Sequence, residues 1–185
     1  MKIGIISDTH GHDSRFSLAL EKFFFDADMI LHAGDVLYHG PRNMMMGDYN
    51  PAALAERINN LNIPIVIARG NCDSEVDAMV INAPLEAPYA HVVVGGKRIV
   101  VTHGHLVEDD EAKDEMAKHL KADFFVTGHI HTTVLEKRGD TVFINPGSPA
   151  LSKRADGRST IGVLTDKDVK IYDIDTDEVL QELKI

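Results

Sequence analysis

Three short runs rich in β-branched residues mark the first part of the chain: KIGIIS at 2–7, MILHAG at 29–34 and PIVIARG at 64–70. Between them the apolar residues recur at helical spacing. Phe16, Leu20, Phe23 and Phe24 fall near one face of the first intervening segment, and Leu54, Ile58 and Leu61 do the same in the second. The pattern predicts a β-α-β-α-β opening. Apolar runs without polar alternation belong to strands buried on both faces, which argues for a largely parallel sheet covered by helices.

Beyond residue 84 the rhythm changes. HVVVGGKRIVVTHG at 91–104 reads as two strands joined by a Gly-Gly turn, a common tight-hairpin signal. EDDEAKDEMAKHLKA at 108–122 has the composition of a helix, with acidic residues where they complement the dipole of its first turn, and it leads into the strand DFFVTG at 123–128. TVLEKRGDTVFINPGS, STIGVLTDKDVKIYDID and EVLQELKI read as further short strands turning at Gly139-Asp140 and Asp166-Lys167-Asp168. The expectation is an α/β fold of two packed sheets with helices outside, a mostly parallel first sheet and a hairpin-rich second sheet. With 185 residues, 44% hydrophobic and 26% charged, and neither a repeat nor a compositional break, one domain over 1–185 is expected.

The net charge of -10 would repel the backbone of a long nucleic acid, whereas a small phosphorylated substrate can be met by a local positive centre, and a bound metal ion is the strongest available. Cys72 is the single cysteine, so no intrachain disulfide is expected, and the N-terminus carries no secretion or acylation signal; both point to the cytoplasm. The most apolar windows are short and interrupted by charges, so no membrane role is expected.

The chemistry gathers where strands end, the edge at which open α/β sheets bind ligands. The first strand ends in Asp8-Thr9-His10, the second in Gly34-Asp35, and the third in Gly70-Asn71-Cys72-Asp73. Two later strands end in His103-Gly104-His105 and Gly128-His129-Ile130-His131. Mixed carboxylate, amide and imidazole donors suit Mn, Fe, Zn or a related divalent ion better than Ca or Mg. Asp8, His10, Asp35, Asn71, His103, His129 and His131 are too many ligands for one four-coordinate ion and suit two ions sharing a carboxylate.

The ordered set D-x-H, GD, GN, H and GHxH resembles the calcineurin-like metallophosphoesterase superfamily, from Met1 to about Ser148. GDVLYHGPRN, RGNCDSEVD, THGHL and NPGS resemble its small bacterial YfcE-type phosphodiesterase branch. The resemblance implies a two-sheet αββα sandwich and a binuclear phosphodiesterase in which a metal-bridging hydroxide attacks a small phosphodiester in line. It further implies that Asp8, His10, Asp35 and His131 hold one ion and that Asp35, Asn71, His103 and His129 hold the other. Mn is expected, with Zn, Ni, Fe or Co as other candidates.

One departure bears on specificity. Many superfamily members carry a His after the Asn of the third motif, where this chain has Cys72. A thiol is a weak donor and supplies no imidazolium, so phosphodiesters, particularly activated aryl or cyclic ones, are favoured over monoesters. Asn71, Cys72, Asp73 and His105 are the candidate catalytic residues, with a small half-buried thiol of no chemical role as the plain alternative for Cys72 and a structural role for Asp73. His39, Arg42 and Asn43, in the loop after Asp35, are the candidate substrate contacts. NPGS at 145–148 either closes the site floor or ends a strand at a turn. The Met44–Met46 run reads as a mobile or packing loop, with a flexible cap over the site and a part in a homo-oligomer as further readings. Competing readings are a catalytically silent scaffold that keeps the fold for protein binding, as in the retromer subunit, and a nuclease acting on short oligonucleotides.

Overall fold

β1 (Lys2–Ile6), β2 (Met29–His32) and β3 (Ile65–Ala68) lie side by side and parallel, joined by the two helical segments the periodicity predicts. The computed structural model describes every residue except Arg42, Met44, Met46, Ala87 and Glu108, and the backbone alone for Glu86. α1 (Asp13–Ala19) widens into a π-helical segment (Leu20–Phe24), and α2 (Pro51–Asn59) begins at Asn50, whose side-chain oxygen accepts the Ala53 N–H. α3 (Asp77–Val80) and the two-residue β4 (Leu85–Glu86) follow, both too short to leave a periodic signal in the sequence.

β5 (Tyr89–Val94) and β6 (Lys97–Thr102) form the Gly-Gly hairpin, and α4 (Asp110–Leu120) crosses to β7 (Phe124–Val126). β8 (Thr133–Arg138) and β9 (Thr141–Pro146) form a second hairpin. β10 (Thr160–Thr165), β11 (Asp168–Asp173) and β12 (Val179–Lys184) then return to the first sheet and extend it antiparallel from the free edge of β1. The sheets run β12-β11-β10-β1-β2-β3-β4 and β5-β6-β7-β9-β8.

The αββα sandwich is as expected, but the hairpins are shared between the sheets and not gathered in the second. β10 to β12 are linked by short turns and can pair only antiparallel, which makes the first sheet half antiparallel; β6, β7 and β9 are linked by longer crossovers and pair parallel in the second.

Alternation along the strands sorts side chains into three cores. Ile3 and Ile5 of β1, Ile99 and Val101 of β6, and Phe124 and Val126 of β7 meet between the sheets. Ile6 faces Phe16, Phe24, Leu54 and Ile58 in the layer beneath α1 and α2, while Val100, Phe125 and Phe143 pack under Ala117 of α4. Both sheets thereby present their strand ends at one rim. Among the described residues no helix is long and apolar enough to cross a membrane.

Candidate metal centre

At that rim the backbone is unusual. Seven non-glycine residues among those described have positive φ, and five of them are candidate ligands: Asp8 (55°), His10 (45°), Asp35 (57°), His129 (72°) and His131 (56°). Such conformations cost roughly 1–3 kcal/mol each and persist where the surrounding structure enforces them.

The turns aim donor atoms at a common space. His131 Nε2 lies 3.3 Å from Asp8 Oδ1 and 3.3 Å from His10 Nε2, while His10 Nε2 lies 3.6 Å from Asp35 Oδ2. His103 Nε2 is 3.3 Å from Asp35 Oδ2 and 4.0 Å from Asp8 Oδ1. Donors of Asp8, His10 and His131, of Asp8, Asp35 and His103, and of His10, Asp35 and Cys72 form three groups whose atoms lie within 4.8 Å of one another.

Three of the four candidate imidazoles are held from behind. His10 Nδ1 bonds to the Tyr38 carbonyl at 2.6 Å, His103 Nδ1 to the Ala33 carbonyl at 2.8 Å, and His131 Nδ1 to the Leu151 carbonyl at 2.6 Å. A carbonyl only accepts, so in all three rings Nδ1 carries a proton and Nε2 is the atom that faces inward, the one able to offer a lone pair to a cation. Asp8 Oδ1 and His103 Nε2 are buried without a well-aligned hydrogen-bond partner. Lone pairs and carboxylate oxygens converging in a buried space require a positive charge, and these donors fit divalent metal ions of the borderline class.

Protons show the same demand. Burial lowers the affinity of His103 for a proton, but the adjoining Asp35 carboxylate and the Asp8 charge outweigh it and lift the pKa to about 9. Burial likewise works to raise the two carboxyls, yet His131 and His103 hold Asp8, and His103 with the Cys72 amide holds Asp35, below the ordinary range. Burial first, then the Asp35 carboxylate, pushes the Cys72 thiol up to about 12, so it is protonated at neutral pH.

Two glycines let the ligands meet. A Cβ on Gly70 would lie 2.2 Å from Asp35 Oδ1, and one on Gly128 would lie 1.9 Å from Ser7 Oγ and 2.8 Å from Asp8 Oδ2. Asp73, a candidate catalytic residue, accepts the backbone N–H groups of Val36 (2.7 Å), Gly70 (2.7 Å) and Asp35 (2.9 Å), so both its oxygens fasten the Asp35 turn to the end of β3. NPGS ends a strand and is tied to the backbone around the centre. β9 ends at Pro146, the Asn145 amide donates to the Gly128 carbonyl, and the Ser148 hydroxyl donates to the Asp8 carbonyl and accepts the Ala150 and Leu151 N–H groups. Replacing Asp73 by Ala strands three backbone donors and is expected to cost about 3 kcal/mol or more, read as a lower unfolding midpoint in urea. Ser148→Ala is expected to cost about 1–3 kcal/mol in the same measurement.

The remaining candidates sit around this centre. The half-buried His129 ring stands 5.1 Å from that of His103, and the backbone N–H of His129 donates to Asp8 Oδ2. Asn71 is exposed at the rim, with its amide 3.4 Å from Cys72 Sγ. A cavity of about 330 Å³ opens onto the centre, lined in part by Asn43, Asn71, Cys72, His129 and Lys153. His39 and His105 are not among its walls. The His39 ring packs edge-on between Tyr38 and Tyr49, with its carbonyl accepting the Asn43 amide, and the His105 ring is 5.4 Å from His103. Arg42, Met44 and Met46 lie outside the described residues. Tyr38 and Lys153 were missed from the sequence; among the described residues Lys153 is the one Lys or Arg lining the cavity.

Residues 1–168 match the model of the calcineurin-like phosphoesterase superfamily domain. The chain belongs to this superfamily. It is 34% identical over 186 aligned residues to phosphodiesterase YfcE of Escherichia coli K12, covering 100% of this chain and 98% of that relative. The solved structure of the E. coli phosphoesterase YfcE superposes with a TM-score of 0.86 at 32% identity over the whole of both chains. Vacuolar protein sorting 29 from Cryptosporidium parvum, at 20% identity, TM-score 0.71 and coverage of 100% of this chain and 97% of that one, shares the fold. The branch that the motifs resemble is thus the one to which whole-chain similarity points.

Proposed function

We propose that this protein is a metal-dependent phosphodiester hydrolase acting on small phosphodiesters at a binuclear centre. The observation that carries the reading is the convergence of three backbone-anchored imidazole Nε2 atoms on two buried carboxylates, with Asp8 Oδ1 and His103 Nε2 lacking a well-aligned hydrogen bond. Asp8, His10, Asp35 and His131 would hold one ion, and Asp35, Asn71, His103 and His129 the other. Divalent ions there, Mn first and Zn, Ni, Fe or Co otherwise, would activate a water near neutral pH and neutralise charge on phosphoryl oxygens.

The chain's own groups do the rest. Lys153, Asn43 and Asn71 line the cavity in which the phosphate would lie, and Arg42, next to Asn43 in the sequence, is kept as a candidate substrate contact. Asp73 acts as a positioning residue through the Asp35 turn, and His39 through the stack that sets Tyr38. Cys72, neutral at the third motif, brings no cationic acid to a poor leaving group, which favours diesters with good ones. His105, next to His103, is the remaining candidate for proton transfer. We further read residues 1–185 as one cytoplasmic domain.

The test is hydrolysis of bis-p-nitrophenyl phosphate beside p-nitrophenyl phosphate by chelator-stripped protein reloaded with Mn. Diester turnover well above monoester turnover is expected. Cys72→His should raise the monoesterase rate, since a positioned acid contributes on the order of a hundredfold or more. Absence of metal-dependent turnover would overturn the reading in favour of a silent scaffold.

A further inference from the structure

Next to the metal cavity opens a larger groove of about 850 Å³, and Tyr38 and Cys72 belong to the walls of both. Leu37, Tyr49, Ala52, Ala55, Val76 and Val80 make it mainly apolar. Val76 and Val80 are 63% and 46% exposed, so much of this apolar surface faces solvent. No Lys or Arg is among its described walls, and its two carboxylates are Glu56, exposed at the rim, and Asp77, which accepts the Ser74 N–H at 2.9 Å. A second phosphate or other anion would find no cationic partner among these described walls.

We propose that this groove is a specificity subsite that takes one ester arm of the diester, an uncharged apolar group of aryl or alkyl character, while the phosphate lies in the metal cavity. The proposal rests on the hydrolase reading above. A phosphodiester has two arms, and the cavity of about 330 Å³ at the metal centre shares its Tyr38 and Cys72 walls with a volume of the size that small-ligand sites usually have. Burial of an apolar arm there adds to binding in proportion to its area, without touching the ligand residues.

The experiment compares phenyl p-nitrophenyl phosphate with methyl p-nitrophenyl phosphate, both releasing the same chromophore from Mn-reloaded protein. In the wild type, kcat/KM is expected to favour the phenyl diester by on the order of tenfold or more. Ala52→Trp, which fills the groove from an exposed position of α2, and Val80→Asp, which makes it more anionic, should collapse that preference through KM for the phenyl substrate. Equal turnover of both diesters by the wild type, or an equal loss on both in the variants, overturns the subsite. Variants that dissociate a dimer in sedimentation while keeping the preference would make the groove a contact between two copies, also overturning it. Should the wild type hydrolyse neither diester, the hydrolase reading fails by itself; calorimetric binding of diphenyl against dimethyl phosphate then decides the groove, tighter diphenyl binding supporting it and equal binding refuting it.

Discussion

Asp35→Asn is expected to lower Mn-dependent diester hydrolysis by on the order of a thousandfold or more, with no comparable loss of fold. Asp35 Oδ2 lies between His10 and His103, at 3.6 and 3.3 Å, so its charge belongs to both halves of the centre. An amide nitrogen placed there donates where a cation is needed, and charge stabilisation worth several kcal/mol goes with the ions, at about 1.4 kcal/mol per tenfold in rate. Fold should persist because the other Asp35 oxygen serves one backbone amide, that of Cys72, which the isosteric amide oxygen can still accept. Circular dichroism beside the activity assay checks both halves; a variant that is folded and as active as wild type would remove Asp35 from the centre.

Gly128→Ala should damage the site by a different route. The added carbon meets Ser7 Oγ at 1.9 Å and Asp8 Oδ2 at 2.8 Å, in a place where the Gly128 amide bonds to the His103 carbonyl and its own carbonyl accepts from Asn145. The Gly128 backbone cannot retreat from Ser7 without breaking those ties to the ends of β6 and β9, and the Ser7–Asp8 hydrogen bond of 2.6 Å has to give. Overpacking of this kind costs roughly 1–3 kcal/mol, or about 2–12 °C in Tm for a chain of this size. Because Asp8 is pushed from its place, metal affinity should fall roughly 10–100-fold as well. Thermal unfolding and metal titration of the variant read the two effects separately, and unchanged affinity would mean that Asp8 does not depend on this packing.

The candidate ligands could be picked out because each follows a recognisable strand, and the strands were legible because their apolar runs are bounded by Gly, Asp and Asn. Phe16, Phe23 and Phe24 were readable as one buried face even though the helix that carries them widens midway, since burial selects the face and not the exact pitch. What stayed hidden depends on contacts between distant segments. Lys153 reaches the site because its N–H bonds to the His131 carbonyl, a contact 22 residues apart by number. Tyr38 matters through its carbonyl, which any residue would supply at that point, so its identity gave no signal. Asp73 looked like a partner for a catalytic group because of its place in the motif, while its three backbone hydrogen bonds could be seen only once the β2 and β3 ends were side by side. The return of β10 to β12 to the first sheet had no local mark either, because the free edge of β1 that receives them is a property of the assembled sheet.

The central claim is that five buried donors, with Asn71 and His129 at their edge, form a place for two ions. Equilibrium dialysis of chelator-stripped wild type against Mn, with the bound metal counted by elemental analysis, tests it most directly. The account predicts two ions per chain at saturation and a lower count in Asp35→Asn. Wild type that binds no metal, or no more than the variant does, would contradict it.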